Sequence, residues 1–152
     1  MFRIITYDWL TASREDGLFA SVDLIIGERV FFFGELWSLA PAVHRLLLAA
    51  LKGHQAVLDF EEIALDEVLF PCGCTQEQLC PRLADFSVRL EGNEVVLSDF
   101  YHISSHFPEN DLEEYVLRQE FRLSYVEFAS EILKTAEQVL GHLQNPVPEP
   151  EG

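Results

Sequence analysis

The sequence predicts a single α+β domain over residues 1–144, with an antiparallel sheet built of hairpins and flanked by two main helices. An acidic, proline-rich tail over 145–152 is expected to be disordered. Stretches rich in β-branched and aromatic residues are separated by two-residue glycine turns, the pattern of hairpin strands. Two other segments repeat their apolar residues at helical spacing. With 152 residues, 49% of them hydrophobic, the chain has enough apolar surface to fill one core.

In order along the chain, "FRIITYDWL" (2–10), "LFASVDLII" (18–26) and "RVFFF" (29–33) read as strands, since such residues fit a pleated, half-buried surface. Gly27-Glu28 joins the last two, and glycine in the first position fits a type II′ turn. Phe31, Phe32 and Phe33 are consecutive, so this strand presents aromatics on both faces and is expected to be covered on both or capped by a helix; the alternative is an exposed aromatic contact surface. In "SLAPAVHRLLLAALK" (38–52), Leu39, Val43, Leu46, Leu47 and Ala50 recur on one helical face. Ser38 is placed to cap this helix, Pro41 sits in its first turn and Gly53 ends it. His44 within it reads as a partly buried, hydrogen-bonded imidazole.

Residues 55–69 mix strand and helix cues, and a short strand is expected near 56–60. "DFSVRLEGNEVVLSDFY" (85–101) is the clearest hairpin, turning at Gly92-Asn93 and setting Glu91 against Glu94, a like-charge pair best tolerated at an exposed tip. "SSHFPENDLEE" (104–114) reads as a polar loop and "YVLRQEFRL" (115–123) as one last strand. A helix follows in "SYVEFASEILKTAEQVLGHL" (124–143), opened by a Ser124–Glu127 capping box. Its core stripe is predicted as Tyr125, Phe128, Ala129, Ile132, Leu133, Ala136, Val139, Leu140 and Leu143, with Glu127, Glu131, Lys134 and Gln138 facing water.

The formal net charge is −16, and so acidic a surface repels nucleic-acid backbones and anionic lipid while attracting basic proteins. Neither nucleic acid nor membrane is expected as a partner. No apolar run reaches the length of a membrane span, and "MFRIITYDWLTASRED" lacks the plan of a secretory leader. The odd count of three cysteines favours reduced thiols, and a cytoplasmic location is expected.

No phosphate-binding glycine loop, dinucleotide fingerprint, zinc-protease helix or nucleophile elbow occurs, so a non-catalytic role without a cofactor is expected. All three cysteines, Cys72, Cys74 and Cys80, lie in "FPCGCTQEQLC" (70–80). With His102 or His106 they offer four zinc donors, but a structural zinc site opens with cysteines two to four residues apart, and here one residue separates the first pair. The expectation is inert thiols and no metal. The alternative is a small metal-binding or thiol-dependent enzyme using this loop.

A second concentration of chemistry is acidic. Asp59, Glu61, Glu62, Asp66 and Glu67 crowd one short run, and Glu109, Asp111, Glu113 and Glu114 form another. Neither has the alternating oxygen ligands and central glycine of a calcium loop. In the first run the charges are interleaved with Phe60, Ile63 and Leu65, a composition suited to docking a basic protein, where charge speeds encounter and apolar anchors hold. These five acidic residues are the candidate partner-binding site.

The β-rich start ending in "RVFFFGELWSLAPAVHRLLLAALKG", the later hairpin, the helix after "YVLRQEFRL" and the acidity together resemble the small acidic immunity proteins of bacterial toxin systems. The resemblance spans roughly residues 2–143 in outline and implies an intracellular α+β inhibitor that binds and neutralises a toxin. It transfers no individual site residue, and the cysteine loop is not part of its pattern.

Overall fold

The three N-terminal strands follow one another as an antiparallel meander: β1 (Phe2–Ala12), β2 (Gly17–Ile26) and β3 (Arg29–Ser38), in the order β1-β2-β3. In this computed structural model residues 1–12, 17–56, 68–71, 83–106 and 111–144 are described. Gly27 turns the β2–β3 hairpin at φ 62°, and the following Glu28 is not left-handed, which is the type II′ geometry expected.

The three phenylalanines do not simply alternate. Leu24 pairs with Phe32 and Ile25 with Val30, so β3 carries one extra residue, a bulge that turns both Phe31 and Phe32 inward. Both are buried, while Phe33 is 73% exposed; that face is therefore open rather than covered. A second irregularity in β3 falls at Gly34, φ 65°. Asp23 Oδ1 accepts hydrogen bonds there from the Gly34 N–H at 2.7 Å and from the Tyr7 hydroxyl at 2.9 Å. The Asp23 bond, with smaller help from burial, raises the Tyr7 pKa above its ordinary value.

α1 spans Leu39–Lys52 and buries Leu39, Ala42, Val43, Leu46, Ala49 and Ala50. Ser38 occupies the N-cap position but its side chain makes no capping bond; it is buried instead. His44 lies on the exposed side of the helix, not in the partly buried setting expected. Leu47 is only half-buried. The predicted strand near 56–60 lies, from residue 57 on, outside the described residues, and Ala56 itself is not in a strand.

The second sheet holds β4 (Phe70–Pro71), β5 (Leu83–Glu91), β6 (Glu94–His106) and β7 (Asp111–Leu117) in that order, and β8 (Phe121–Ser124) pairs with the first part of β6. Two expectations are corrected here. The stretch 104–114 is strand at both ends, because Ser104–His106 pair with Asp111–Glu113 in a continuation of the ladder. The last strand is two strands, broken at 118–120, since β6 offers its outer edge to β7 along Phe100–His106 and to β8 along Glu94–Leu97. Glu91 and Glu94 do pair at the hairpin tip. Their repulsion is relieved by Arg122 on β8 and by Arg89, which donate to the Glu91 carboxylate at 2.6 and 3.0 Å and lower its pKa.

α2 (Tyr125–Gln144) crosses both sheets, touching β1, β2, β6 and β8. Ser124 Oγ accepts the Glu127 N–H at 3.1 Å, the half of the capping box that the spacing predicts. The core face of α2 is narrower than predicted: Phe128, Ile132, Thr135 and Val139 are buried, whereas Leu133, Leu140 and Leu143 are exposed. The reason lies at β1, the edge of the first sheet. Glu131 Oε1 accepts the Ile4 N–H at 2.9 Å, Lys134 pairs with Glu131 and donates to the Ile4 carbonyl, and Gln138 meets the Thr6 hydroxyl at 2.8 Å. These three polar side chains cover an unpaired strand edge, so the helix is rotated toward β1 and away from the phase that apolar residues alone would choose.

The main core is shared by both sheets and both helices. Phe32 and Trp37 of β3 meet Phe70 of β4 with ring centroids 5.1 and 5.8 Å apart. Phe31 meets Phe100 of β6 at 5.1 Å. On the other face of the second sheet Val68, Leu83, Tyr101 and Ile103 form a smaller cluster. Among the described residues no helix is long and apolar enough to cross a membrane.

Candidate functional site

A polar cleft opens where α1 ends against β5. Gly53 terminates α1 at φ 79° and its N–H bonds to the Ala49 carbonyl at 2.8 Å. A side chain there would put a Cβ 2.9 Å from the Val88 carbonyl oxygen, so only glycine lets the chain run this close to β5. His54 then pairs with Val88 through two backbone hydrogen bonds, 2.9 and 2.7 Å long. This short bridge fixes the imidazole above the sheet.

His54 Nε2 lies 2.8 Å from Oδ1 of Asp85, whose side chain is almost wholly buried. The same oxygen accepts the Leu69 N–H at 3.2 Å, while Oδ2 finds no partner among the described residues. Two residues along β5, Ser87 Oγ accepts the Ala56 N–H at 2.9 Å and donates to Asp99 Oδ2 at 3.0 Å. Asp99 is left-handed, φ 53°, where the β5–β6 register slips between Asp85 and Ser87. Asp is among the few residues that tolerate this conformation, and the bulge aims its carboxylate at Ser87.

These groups border a cleft of about 630 Å³ lined by Lys52, His54, Gln55, Ser87, Arg89 and Asp99 among others. Its chemistry is that of an oriented imidazole beside a serine already engaged as donor and acceptor. Ser87 bonds to Asp99 and Ala56 rather than to His54, so the serine and the imidazole do not form a nucleophile–base pair. The site can bind polar groups between Lys52, Arg89 and the carboxylate of Asp99. No group of three or more metal-ligating side chains exists among the described residues.

Asp59, Glu61, Glu62, Asp66 and Glu67 lie outside the described residues, as do Cys72, Cys74, Cys80 and Glu109. Asp111 and Glu113 are on β7, and Glu114, also on β7, is exposed. His102, a possible zinc donor by sequence, sits among Phe31, Phe32 and Trp37 with Nε2 2.8 Å from Glu35 Oε1. It links β6 to β3 across the two sheets.

Of the described residues that flank it in sequence, Ala56 bonds to Ser87 and Leu69 to Asp85, two residues apart on β5. Sequence reasoning missed the His54–Asp85 and Ser87–Asp99 pairs because their partners are 31 and 12 residues apart. The sequence carried no signal of them: Asp85 and Ser87 alternate with Phe86 and Val88 as the water-facing positions of a strand would, and only the structure shows that both are buried. Compared with known proteins, the chain matches no family model, no curated protein and no solved structure.

Proposed function

We propose that this chain is a non-catalytic protein-binding module that meets a basic protein through the acidic run Asp59, Glu61, Glu62, Asp66 and Glu67. One observation carries the reading: Ala56 and Leu69, which bracket the run, are both tied to β5 by hydrogen bonds to Ser87 and Asp85. The sequence between these two residues carries five carboxylates, with Phe60, Ile63 and Leu65 interleaved as apolar anchors. Charge concentrated at one place steers an oppositely charged partner and accelerates association. The engagement of Ser87 and His54 with carboxylates supports a structural use of those polar groups. The resemblance to immunity proteins supports a basic toxin as the partner and an intracellular setting for the encounter.

The test begins with capture of a partner from the native host, followed by stopped-flow association with the purified partner. The partner is expected to be basic, and its on-rate to fall steeply with salt as the Debye length shrinks from about 10 Å at 0.1 M. Replacing Glu61, Glu62, Asp66 and Glu67 by lysine should slow association about tenfold or more and flatten the salt dependence. An acidic partner, or an unchanged rate and salt slope in the lysine variant, overturns the reading.

A further inference from the structure

The first sheet is apolar on both of its faces. Ile4, Leu24 and Phe32 lie in one cross-strand row and point into the core shared with both helices. Alternate positions point the other way. There Ile5, Phe19 and Ile25 are half-buried, and Val30, Phe33 and Leu36 on β3 are 54, 73 and 39% exposed. Leu10, opposite Phe19 and 45% exposed, extends the face past the bulge in β1. An antiparallel sheet with one face on a core ordinarily turns polar residues to water on the other. This outer face instead opens roughly 600 Å² of mostly apolar surface, the upper limit for a typical monomer and, doubled, the lower end of specific protein interfaces.

Charge on this face is sparse and sits at its two ends. Asp23, in the middle, is engaged within the chain by the Gly34 N–H and the Tyr7 hydroxyl. Glu35 turns inward to His102, and Glu28 and Arg29 stand side by side where β2 turns into β3. That leaves Arg3 near the start of β1 and Asp8 about 17 Å further along it. Both are exposed, and neither is bonded to a partner among the described residues. Asp8 belongs to the outer face, because after the Asp23 bond and burial its charge adds to the raised pKa of Tyr7.

We propose that two copies of the chain pack sheet on sheet through this face, about a two-fold axis that crosses the strands near Ile5, Asp23 and Phe33. Such an axis lays β1 of one copy over β1 of the other, running the opposite way. Arg3 of each copy then meets Asp8 of the other, and the two Phe33 side chains meet near the centre. Sheets packed face to face lie about 10 Å apart, a gap that an arginine and an aspartate side chain span together. The placement of charge selects a second copy as the occupant. A cation and an anion at opposite ends of one apolar face are complementary to the same face turned end for end. The remainder of a chain with net charge −16 repels its copy, so contact is favoured where unpaired carboxylates are fewest. A basic protein would find only Asp8 to meet here and would be repelled at Arg3.

Sedimentation equilibrium of the full chain tests this. A dimer with a dissociation constant below about 100 µM is expected. Phe33→Asp should weaken association at least ~30-fold while the far-ultraviolet circular dichroism stays that of the wild type, because the side chain is largely exposed. Should that variant lose its fold, Val30→Asp gives the same readout. A double-mutant cycle reads the charge pairing. Arg3→Glu alone should weaken the dimer about tenfold or more, since it sets carboxylate against carboxylate twice. In an Asp8→Asn background the same change should cost about threefold or less; asparagine tolerates the left-handed backbone of position 8, φ 51°. A wild-type chain that stays monomeric up to about 200 µM overturns the proposal and leaves the face to a different protein. A dimer that survives the folded Phe33→Asp variant overturns it too, as does an Arg3→Glu loss that is the same with and without the Asp8 carboxylate. The test contains no second protein, so its result is independent of the basic-partner reading above.

Discussion

Tyr101, on β6 between β5 and β7, is buried to 1% relative exposure. Burial first, then Glu114 nearby, pushes its pKa from 10.0 up to about 12. In the unfolded chain this phenol ionises near its ordinary value, whereas in the folded chain it stays protonated longer. Its contribution to stability is therefore complete below pH 10 and is lost as pH rises through about 12. Thermal melts between these limits should show the wild type losing stability more steeply with pH than Tyr101→Phe. A residual slope of the same sign is expected from Tyr7, whose pKa is also raised. Equal slopes in wild type and variant would show that Tyr101 ionises alike in both states. At the same scale, Asp85 was not legible in advance: it occupies a polar position of an alternating strand, and nothing near it in sequence named its burial or His54 as its partner.

At the scale of elements, α2 shows how a helix and its phase are separately determined. The helix forms because its residues favour it and because Ser124 caps it. Its rotation is set by Glu131, Lys134 and Gln138 reaching the edge of β1, and by Trp9 stacking on His142 at 4.2 Å. Ile132→Ala should cost about 2 to 5 kcal/mol as a truncation in the core, and Leu133→Ala less than ~1 kcal/mol because that side chain is half open to water. Urea denaturation of the two variants measures the difference. Equal losses would place the two residues on equivalent faces and contradict this rotation. Leu133 was expected in the core because periodicity counts apolar residues without weighing the hydrogen bonds that compete for the same helix.

For the whole molecule, the decisive feature is that one aromatic cluster belongs to both sheets. Phe32 of β3 contacts Trp37 in its own sheet at 5.4 Å, and Phe70 and His102 in the other at 5.1 and 5.9 Å. Neither sheet has a core of its own on this side, so the two are expected to unfold together. Tryptophan fluorescence reports the first sheet, where Trp9 and Trp37 both lie, and far-ultraviolet circular dichroism reports the helices. The two midpoints should coincide in the wild type. In Phe32→Ala both should shift together by about 3 to 5 kcal/mol of lost stability. Separate transitions would mean that the sheets are independently stable.

Much of this fold follows from local patterns. The II′ turn at Gly27, the Gly92-Asn93 hairpin, the extent of α1 and the Ser124 cap each depend on residues within a few positions of one another, so the sequence alone determined them. The acidity and its concentration at Asp59–Glu67 are likewise properties of composition. Tertiary structure decided which apolar residues lie inside, because a bulge can turn Phe31 and Phe32 to one side and a strand edge can rotate α2. It also decided that β6 is shared between β7 and β8, that His54, Ser87 and Asp99 line one cleft, and that buried Asp85 holds His54 there. The reason is common to all of these: they are agreements between residues distant in the chain, and periodicity and propensity describe only the preferences of neighbours.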